Sequence, residues 1–231
     1  MLDVSRKELK YIISTQEVAG LRRRLSAVMQ EDSHNGSDGY RVRSLYFDTL
    51  SDRDFEEKVD GYDKRQKIRL RIYGFGNQTV KLELKAKEDG FQRKRSLSVS
   101  REEAEQMIRC EYGFLMGKSE PLAHYIYTLM TTRCYRPKCI VEYDRIAYCM
   151  DTNEIRVTFD MNLRATEADV ALFDEDLPLY PVANRAETTM EVKYNGFLFT
   201  HIKNIIKTSD RMQVSNSKYC RARTITKRGR R

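Results

Sequence analysis

Two neighbouring segments of the sequence alternate basic and apolar side chains. Residues 65–73, RQKIRLRIY, place Arg69 and Arg71 among basic positions that alternate with Ile and Leu. Residues 80–87, VKLELKAK, place Lys85 and Glu83 on the same side of a second such segment. Side chains alternate between the two faces of a strand, so each segment has one ionic and one apolar face. Arginine forks and lysine point charges both bind phosphate oxygens, which makes phosphate binding the chemistry that this pattern favours.

Further segments show the same division into an ionic and an apolar face. The residues concerned are Arg6, Glu8 and Lys10, then Arg41 and Arg43, then Arg156, Thr158 and Asp160, and finally Glu191 and Lys193. Any one of these faces could simply be solvated, as in many antiparallel sheets. Like charges on neighbouring strands repel, however, and a bound anion would offset that repulsion. Glu83 and Glu191 are suitable hard oxygen donors for Mg²⁺ or Mn²⁺.

Length and composition narrow the class of protein. The chain has 231 residues and a net charge of +8, which favours a polyanionic partner such as a phosphate chain, a nucleotide, a nucleic acid or an anionic lipid. No apolar run is long enough for a membrane span, and the first residues do not resemble a secretory signal, so a cytoplasmic location is expected. The five cysteines lack metal-binding spacing and are interpreted as reduced thiols.

The elements that position these residues are predicted to be eight strands and four helices. Strands are predicted at residues 6–13, 40–48, 66–73, 79–87, 93–100, 139–148, 154–161 and 188–194, and helices at 16–29, 100–109, 122–132 and 197–207. Short Asp-Gly connections indicate antiparallel pairing. No linker or repeat interrupts the chain, so we expect a single domain over residues 1–231 with a basic tail at about 222–231, of which the terminal KRGRR is expected to be solvated. The expected fold is α+β, an eight-stranded antiparallel β-barrel with peripheral helices, in which the ionic faces converge.

Several ordered motifs of the chain resemble one known family, the VTC domain of vacuolar transporter chaperone proteins. This family is a branch of the triphosphate tunnel metalloenzymes and is related to the CYTH enzymes. The motifs are RKELKYIIS, YRVRSLYFDT, KIRLRIYG followed by LELKAK, EIRVTFD, MEVKY and SKYC.

The resemblance implies a basic tunnel that binds a triphosphate, with an acidic residue that binds a divalent metal. The implied phosphate contacts are Lys10, Arg69, Arg71, Lys85, Arg156 and Lys218. Glu191 is the implied metal ligand, and Mn²⁺ or Mg²⁺ the implied ion. Lys94 is a further candidate for substrate binding, and Arg43 and Glu83 are added by their place on the ionic faces. The CYTH pattern E-x-E-x-K is replaced by Arg6, Glu8 and Lys10, which favours the VTC arrangement.

The implied reaction is transfer of the γ-phosphoryl group of ATP onto a polyphosphate chain. The same site with water as acceptor would be a triphosphatase, and without turnover it would be a binding module for polyphosphate, triphosphate or pyrophosphate. A nucleic-acid-binding protein is the remaining alternative, suggested by the basic composition and the terminal KRGRR. The sequence has no recognised nucleic-acid-binding motif, so a nucleic acid is not expected as a partner.

Overall fold

The computed structural model describes residues 6–76, 79–89 and 91–228. Its strands, numbered in chain order, are β1 Arg6–Ser14, β2 Gln30–Glu31, β3 Tyr40–Asp48, β4 Arg65–Tyr73, β5 Val80–Glu88, β6 Phe91–Val99, β7 Arg136–Met150, β8 Ile155–Thr166, β9 Tyr180–Pro181 and β10 Glu187–Asn195. Its α-helices are α1 Thr15–Leu25, α2 Arg53–Val59, α3 Arg101–Ile108, α4 Pro121–Thr132, α5 Thr200–Ile206 and α6 Lys218–Arg228. Short 3₁₀ turns cover Gly113–Gly117, Thr152–Glu154 and Thr208–Asp210.

The strands form an antiparallel sheet whose hydrogen-bonded order is β1-β10-β8-β7-β3-β4-β5-β6. The two short strands are additions to this path, since β2 pairs with β7 and β9 pairs with β8. The eight long strands and the surrounding helices confirm the α+β antiparallel fold class that the alternation of side chains predicts. None of the described helices combines the length and the apolar character needed to cross a membrane.

The chain divides into two compact units, each assembled from separate stretches of sequence. The first unit comprises residues 1–41, 143–163 and 181–217, and the second comprises residues 42–142, 164–180 and 218–231. The prediction of one continuous domain is not tested by this division. Each unit has its own hydrophobic core, described next.

In the first unit one face of the sheet packs against helices α1 and α5. The core includes Tyr11 and Ile13 of β1, Val157 of β8 and Val192 of β10. Helix α1 begins where the Ser14 hydroxyl accepts a hydrogen bond from the backbone N–H of Glu17, and the Glu17 carboxylate accepts one from the Ser14 backbone. This reciprocal cap satisfies two donors that a helix start otherwise leaves without partners.

In the second unit the apolar faces of β3, β4 and β5 pack against helices α3 and α4. Leu45, Leu70 and Leu82 are buried there with Met107 of α3 and Ile126 of α4. A second reciprocal cap, between Ser100 and Glu103, begins helix α3. The opposite faces of β4 and β5 carry charged residues, so helices α3 and α4 cover the apolar side of the sheet in this unit.

Two helices were not among the sequence predictions. Helix α2 covers only seven residues, Arg53–Val59, and its first turn is capped by a side chain from β3. Helix α6 covers residues Lys218–Arg228, where the sequence predicts a basic tail from about residue 222 and no helix. Residues 229–231, the end of the KRGRR segment, lie outside the described residues. The strong positive charge of this segment favoured the prediction of a tail over a helix. The structure shows a helix whose Tyr219 is buried against Tyr46 and hydrogen-bonded to Asp48.

Candidate functional site

The ionic side of the second unit is a surface that we call the cationic face. It consists of the residues that β4, β5 and β6 direct away from the apolar core. These are Arg65, Lys67, Arg69 and Arg71 of β4, Lys81, Glu83, Lys85 and Lys87 of β5, and Gln92, Lys94, Ser96 and Ser98 of β6. Eight are basic and one is acidic.

The strand register places like charges directly opposite one another on this face. Lys67 of β4 is paired with Lys85 of β5, which is paired in turn with Lys94 of β6. Arg71 is paired with Lys81 in the same way. Such cross-strand pairs destabilise a sheet unless an anion lies against them. The structure thus places Arg69, Arg71, Lys85 and Lys94 on one surface, while their contact with phosphate stays a prediction.

Glu83 occupies the middle of the cationic face and organises its neighbours. It is 1% exposed. It accepts a hydrogen bond of 2.6 Å from Nε of Arg69, and its other carboxylate oxygen lies 2.5 Å from the Lys94 ammonium. Burial alone would raise the pKa of Glu83, but Arg69, Arg71 and Lys94 lower it well below its ordinary range. Glu83 is thus ionised and engaged by protein cations, which favours an orienting role over metal binding.

Arg43 does not lie on the cationic face. Its register partner is Ile72, so it points to the apolar side of β3. There its Nε donates to Glu142 at 2.6 Å, and its Nη1 donates to the carbonyl oxygens of Leu172 and Asp174. The expectation that Arg43 binds substrate from an ionic face is wrong about the face. The side chain instead ties the 166–179 segment to the sheet of the second unit.

Lys218 is the first residue of helix α6 and is half-buried. The next residue, Tyr219, packs over the cationic face, with the Lys67 ammonium 5.5 Å from the centre of its ring. Lys67 also lies 3.8 Å from the Cys220 sulfur. Residues 218–220 of the SKYC motif are therefore held beside β4 in the second unit, which agrees with a role for Lys218 there but does not test its contact with phosphate.

The ionic side of the first unit is a second surface, which we call the mixed face. It is made by the side chains of β1, β10 and β8 that point away from the apolar core. Across the three strands its rows are Glu8, Lys193 and Arg156, then Lys10, Glu191 and Thr158, then Ile12, Thr189 and Asp160. Unlike the cationic face, these rows have three acidic and three basic residues. Glu8 is opposite Lys193 and Lys10 is opposite Glu191, although Lys193 is also opposite Arg156. Lys10, Arg156 and Glu191 thus share one surface, while their roles at phosphate and metal stay predictions.

Glu191 is buried among cations of the mixed face. Its carboxylate oxygens lie 3.7 Å from the Lys10 ammonium, 3.5 Å from that of Lys193 and 3.9 Å from the Arg145 guanidinium. These separations are longer than hydrogen bonds, so the attraction is electrostatic. Burial lowers the pKa of Lys193, although the charges of Glu191 and Glu8 oppose the effect.

Arg145 is a charged residue of this surface that sequence reasoning missed. It is buried, and it donates two hydrogen bonds to Asp160, from Nε at 2.6 Å and from Nη2 at 2.8 Å. Burial alone would lower the pKa of Arg145, but Asp160 raises it well above its usual value. The signal was present in residues 142–148, EYDRIAY, where Arg145 lies on the side of the strand opposite Ile146 and Tyr148, but this strand was not divided into its two faces.

Arg156 is oriented by residues near the start of the chain. Its Nη2 lies 2.6 Å from the Asp32 carboxylate and donates to the Tyr40 hydroxyl at 3.1 Å. Asp32 also accepts a hydrogen bond from the backbone N–H of His34 at 3.0 Å. The guanidinium of Arg156, the predicted phosphate contact, is therefore oriented by the Asp32 carboxylate, which sequence reasoning did not include.

A divalent metal would find oxygen donors on the mixed face. Thr158 is the cross-strand partner of Glu191, and its buried hydroxyl has no hydrogen-bond partner among the described residues. Within those residues there is no group of three or more His, Cys, Asp or Glu side chains that could hold a metal by themselves. Mg²⁺ sites often use only one or two carboxylates together with substrate phosphates. The Glu191 carboxylate with the Thr158 hydroxyl fits a site of that kind.

Comparison with solved structures shows the fold. The chain is similar to a candidate adenylate cyclase from Bacillus halodurans, with 14% identity, a TM-score of 0.50 and coverage of 92% of this chain and 95% of that one. It is also similar to a candidate adenylate cyclase from Vibrio parahaemolyticus, with 10% identity, a TM-score of 0.51 and coverage of 93% and 95%. Both likenesses support the triphosphate tunnel fold. No curated protein matches the sequence.

The family comparison covers nearly the whole chain. The VTC domain matches residues 5–227, a span that contains most of both units and all the motifs that carry the resemblance. The chain therefore belongs to the VTC domain family and has the triphosphate tunnel fold.

Proposed function

We propose that the protein is a metal-dependent phosphotransferase that moves the γ-phosphoryl group of ATP onto a polyphosphate chain. The observation that carries this proposal is the cationic face, where Lys67, Lys85 and Lys94 stand directly opposite one another on three strands. A polyanion is the ligand that would offset this repulsion. The family membership supports a triphosphate-binding enzyme, and the candidate cyclases of the same fold support a nucleoside triphosphate as one substrate.

The residues of the protein need only align the reactants and neutralise charge. In the proposed reaction an oxygen of the terminal phosphate of the acceptor attacks the γ-phosphorus of ATP, the bond from that phosphorus to the β-γ bridging oxygen breaks, and ADP leaves. Phosphoryl transfer of this kind requires no covalent bond between the substrate and a side chain of the protein. Arg69 and Arg71 offer planar forks for phosphate oxygens, and the lysines add point charges. We assign Lys85, Lys94 and Lys218 of the second unit to the same task.

In the first unit we assign Lys10, Arg145 and Arg156 to phosphate binding and Glu191, with Thr158, to the metal. A bound Mn²⁺ or Mg²⁺ would neutralise charge on phosphate oxygens as phosphoryl transfer proceeds. Lys10 and Lys193 now lie near the Glu191 carboxylate, so they would also be available to phosphate if a metal took their place. The choice of ion is part of the proposal.

Two related functions share these residues. With water as acceptor the protein would be a triphosphatase that releases orthophosphate, and without turnover it would be a binding module for polyphosphate, triphosphate or pyrophosphate. The continuous rows of cations from Arg65 to Arg71 favour the polymer, because four successive rows along a strand span about 20 Å, longer than a single triphosphate.

The deciding experiment incubates the purified protein with ATP and Mn²⁺ and separates polyphosphate from orthophosphate on a gel. Long polyphosphate supports the proposal, orthophosphate alone supports the triphosphatase, and neither product with retained tripolyphosphate binding supports the binding module. An Arg69→Ala variant should lose the product. Arg93→Ala removes the same charge from the opposite face of β6, where Arg93 pairs with Ala86, and should retain it.

A further inference from the structure

Two tyrosines from distant parts of the chain stack on each other beside the cationic face. Tyr46 of β3 and Tyr219 of α6 have ring centres 5.0 Å apart and planes at 24°. Both are buried, with exposed fractions of 6% and 1%. Phe55 of α2 closes the stack with its edge, 6.4 Å from the Tyr219 ring centre. The function proposed above assigns no role to either tyrosine. Each of them, however, binds a charged side chain through its hydroxyl group.

Tyr46 holds the guanidinium of Arg69. Nη1 of Arg69 donates a 2.8 Å hydrogen bond to the Tyr46 hydroxyl, and the guanidinium carbon lies 5.6 Å from the centre of the Tyr46 ring. On its other side Arg69 is bound by Glu83, through Nε at 2.6 Å and Nη2 at 2.5 Å. The fork is therefore fixed at two points, by a carboxylate and by a phenol oxygen.

Tyr219 is fixed in turn by a buried carboxylate. Its hydroxyl donates a 2.6 Å hydrogen bond to Asp48, which is fully buried. Asp48 also accepts from the backbone N–H groups of Asp54 and Phe55, at 2.9 and 3.0 Å, and so caps the first turn of helix α2. The position of the Tyr219 ring is thus set by Asp48 of β3, which is itself held by the first turn of α2.

We propose that Tyr46 and Tyr219 are positioning residues that hold the Arg69 fork in the orientation that binds phosphate. This inference rests on the proposed function of the cationic face. It links three sequence motifs, since Tyr46 and Asp48 belong to YRVRSLYFDT, Arg69 to KIRLRIYG and Tyr219 to SKYC. Helix α6 then contributes more than Lys218, because its tyrosine completes the support of an arginine on β4.

The electrostatic surroundings of the two phenols agree with different roles. Burial would raise the pKa of Tyr46, but the positive charges of Arg69, Arg71 and Lys67 lower it, so the surroundings favour negative charge on the oxygen that accepts from Arg69. Burial and the nearby Asp48 charge raise the pKa of Tyr219 strongly, which keeps it a hydrogen-bond donor. Tyr46 accepts from Arg69, and Tyr219 donates to Asp48.

The test measures binding of inorganic tripolyphosphate by calorimetry, separately from turnover. Tyr46→Phe keeps the ring stack and removes only the oxygen that Arg69 uses, so the dissociation constant should rise about tenfold. Tyr219→Phe keeps the stack and loses the bond to Asp48, so a smaller rise of about threefold is expected. Tyr112→Phe is the matched control, since its hydroxyl is also buried but donates to the Tyr135 carbonyl in the apolar core.

A double variant separates positioning from a general structural effect. If Tyr46 acts through Arg69, Tyr46→Phe should add almost nothing to the loss in an Arg69→Ala background. Additive losses, or a Tyr46→Phe affinity equal to that of Tyr112→Phe, would overturn the inference while leaving the proposed function intact. A wild-type protein that fails to bind tripolyphosphate would instead defeat the proposed function and the inference with it. Should Tyr46→Phe not fold, Tyr219→Phe combined with Arg69→Ala gives the same test.

Discussion

The cationic face and the mixed face are built by the same strand alternation but differ in charge balance. On the cationic face eight basic residues surround one carboxylate, whereas the three rows of the mixed face set three basic against three acidic residues, with Arg145 of β7 beside them. The mixed face can satisfy its own charges through pairs such as Arg145 with Asp160. On the cationic face the single carboxylate, Glu83, is shared by Arg69, Arg71 and Lys94, so the surface keeps an excess of positive charge. A surface with unbalanced charge points to a polyanion, and one with balanced charge that includes a buried carboxylate suits a metal together with phosphate.

This difference predicts that an arginine of the cationic face can be removed without loss of stability. Arg71→Ala should reduce phosphoryl transfer from ATP by at least about 100-fold, the cost of removing one preorganised charged donor. Its Tm should not fall, because the substitution also removes repulsion with Lys81. Rate assays and thermal unfolding of the same preparation check both parts.

The control for that variant is Arg95→Ala. Arg95 is on the opposite face of β6, with its guanidinium 5.0 Å from the Tyr125 ring centre. The rate of phosphoryl transfer by Arg95→Ala should match that of the wild-type protein. Full activity of Arg71→Ala would remove the cationic face from the reaction and leave the comparison of the two faces without functional meaning.

On the mixed face the sharpest change is Glu191→Gln, which keeps the size of the side chain and removes its charge. We expect the rate to fall about 100-fold and to respond no longer to Mn²⁺, since a neutral amide is a poor ligand for a hard divalent ion. A titration of rate against Mn²⁺ concentration measures this. Glu154→Gln is the control, because Glu154 is exposed in the turn before β8. A Glu191→Gln enzyme with an unchanged Mn²⁺ dependence would exclude Glu191 as the ligand.

The alternation of side chains predicted the faces of β4, β5, β8 and β10 because each of these strands has a clear apolar side. It failed for β3, where residues 42–48 are buried on both sides, so that parity alone could not tell which side Arg43 occupies. It also missed Asp32, which meets Arg156 only through tertiary contact. The stack of Tyr46 on Tyr219 joins residues far apart in sequence, so no local sequence pattern predicts it. Strand faces are a local property, whereas the support of a charged side chain is not.

Glu83→Gln tests how far the cationic face relies on its one carboxylate. The free energy of unfolding of the unliganded protein should fall by about 3 kcal/mol, because Arg69 loses a buried partner. The folded-state pKa of Glu83 is depressed, so its stabilising effect is present above the unfolded pKa of about 4.3 and is lost as the pH falls from there towards the folded pKa. Thermal unfolding from neutral to acid pH should show the two proteins converging. Glu88→Gln, an exposed change on the same strand, should not alter the profile.

The smallest effect is expected for Lys94→Ala, compared with Arg93→Ala. The two residues are neighbours on β6 and carry the same charge, but Lys94 is opposite Lys85 on the cationic face and Arg93 is opposite Ala86 on the other. Lys94 is half-exposed, so its removal should weaken tripolyphosphate binding only about threefold at low salt and less at high salt. Calorimetry at two salt concentrations measures this. Equal losses for both variants would mean that net charge alone attracts the anion; a loss confined to Lys94→Ala means that the anion lies on the face where the strand register gathers the cations.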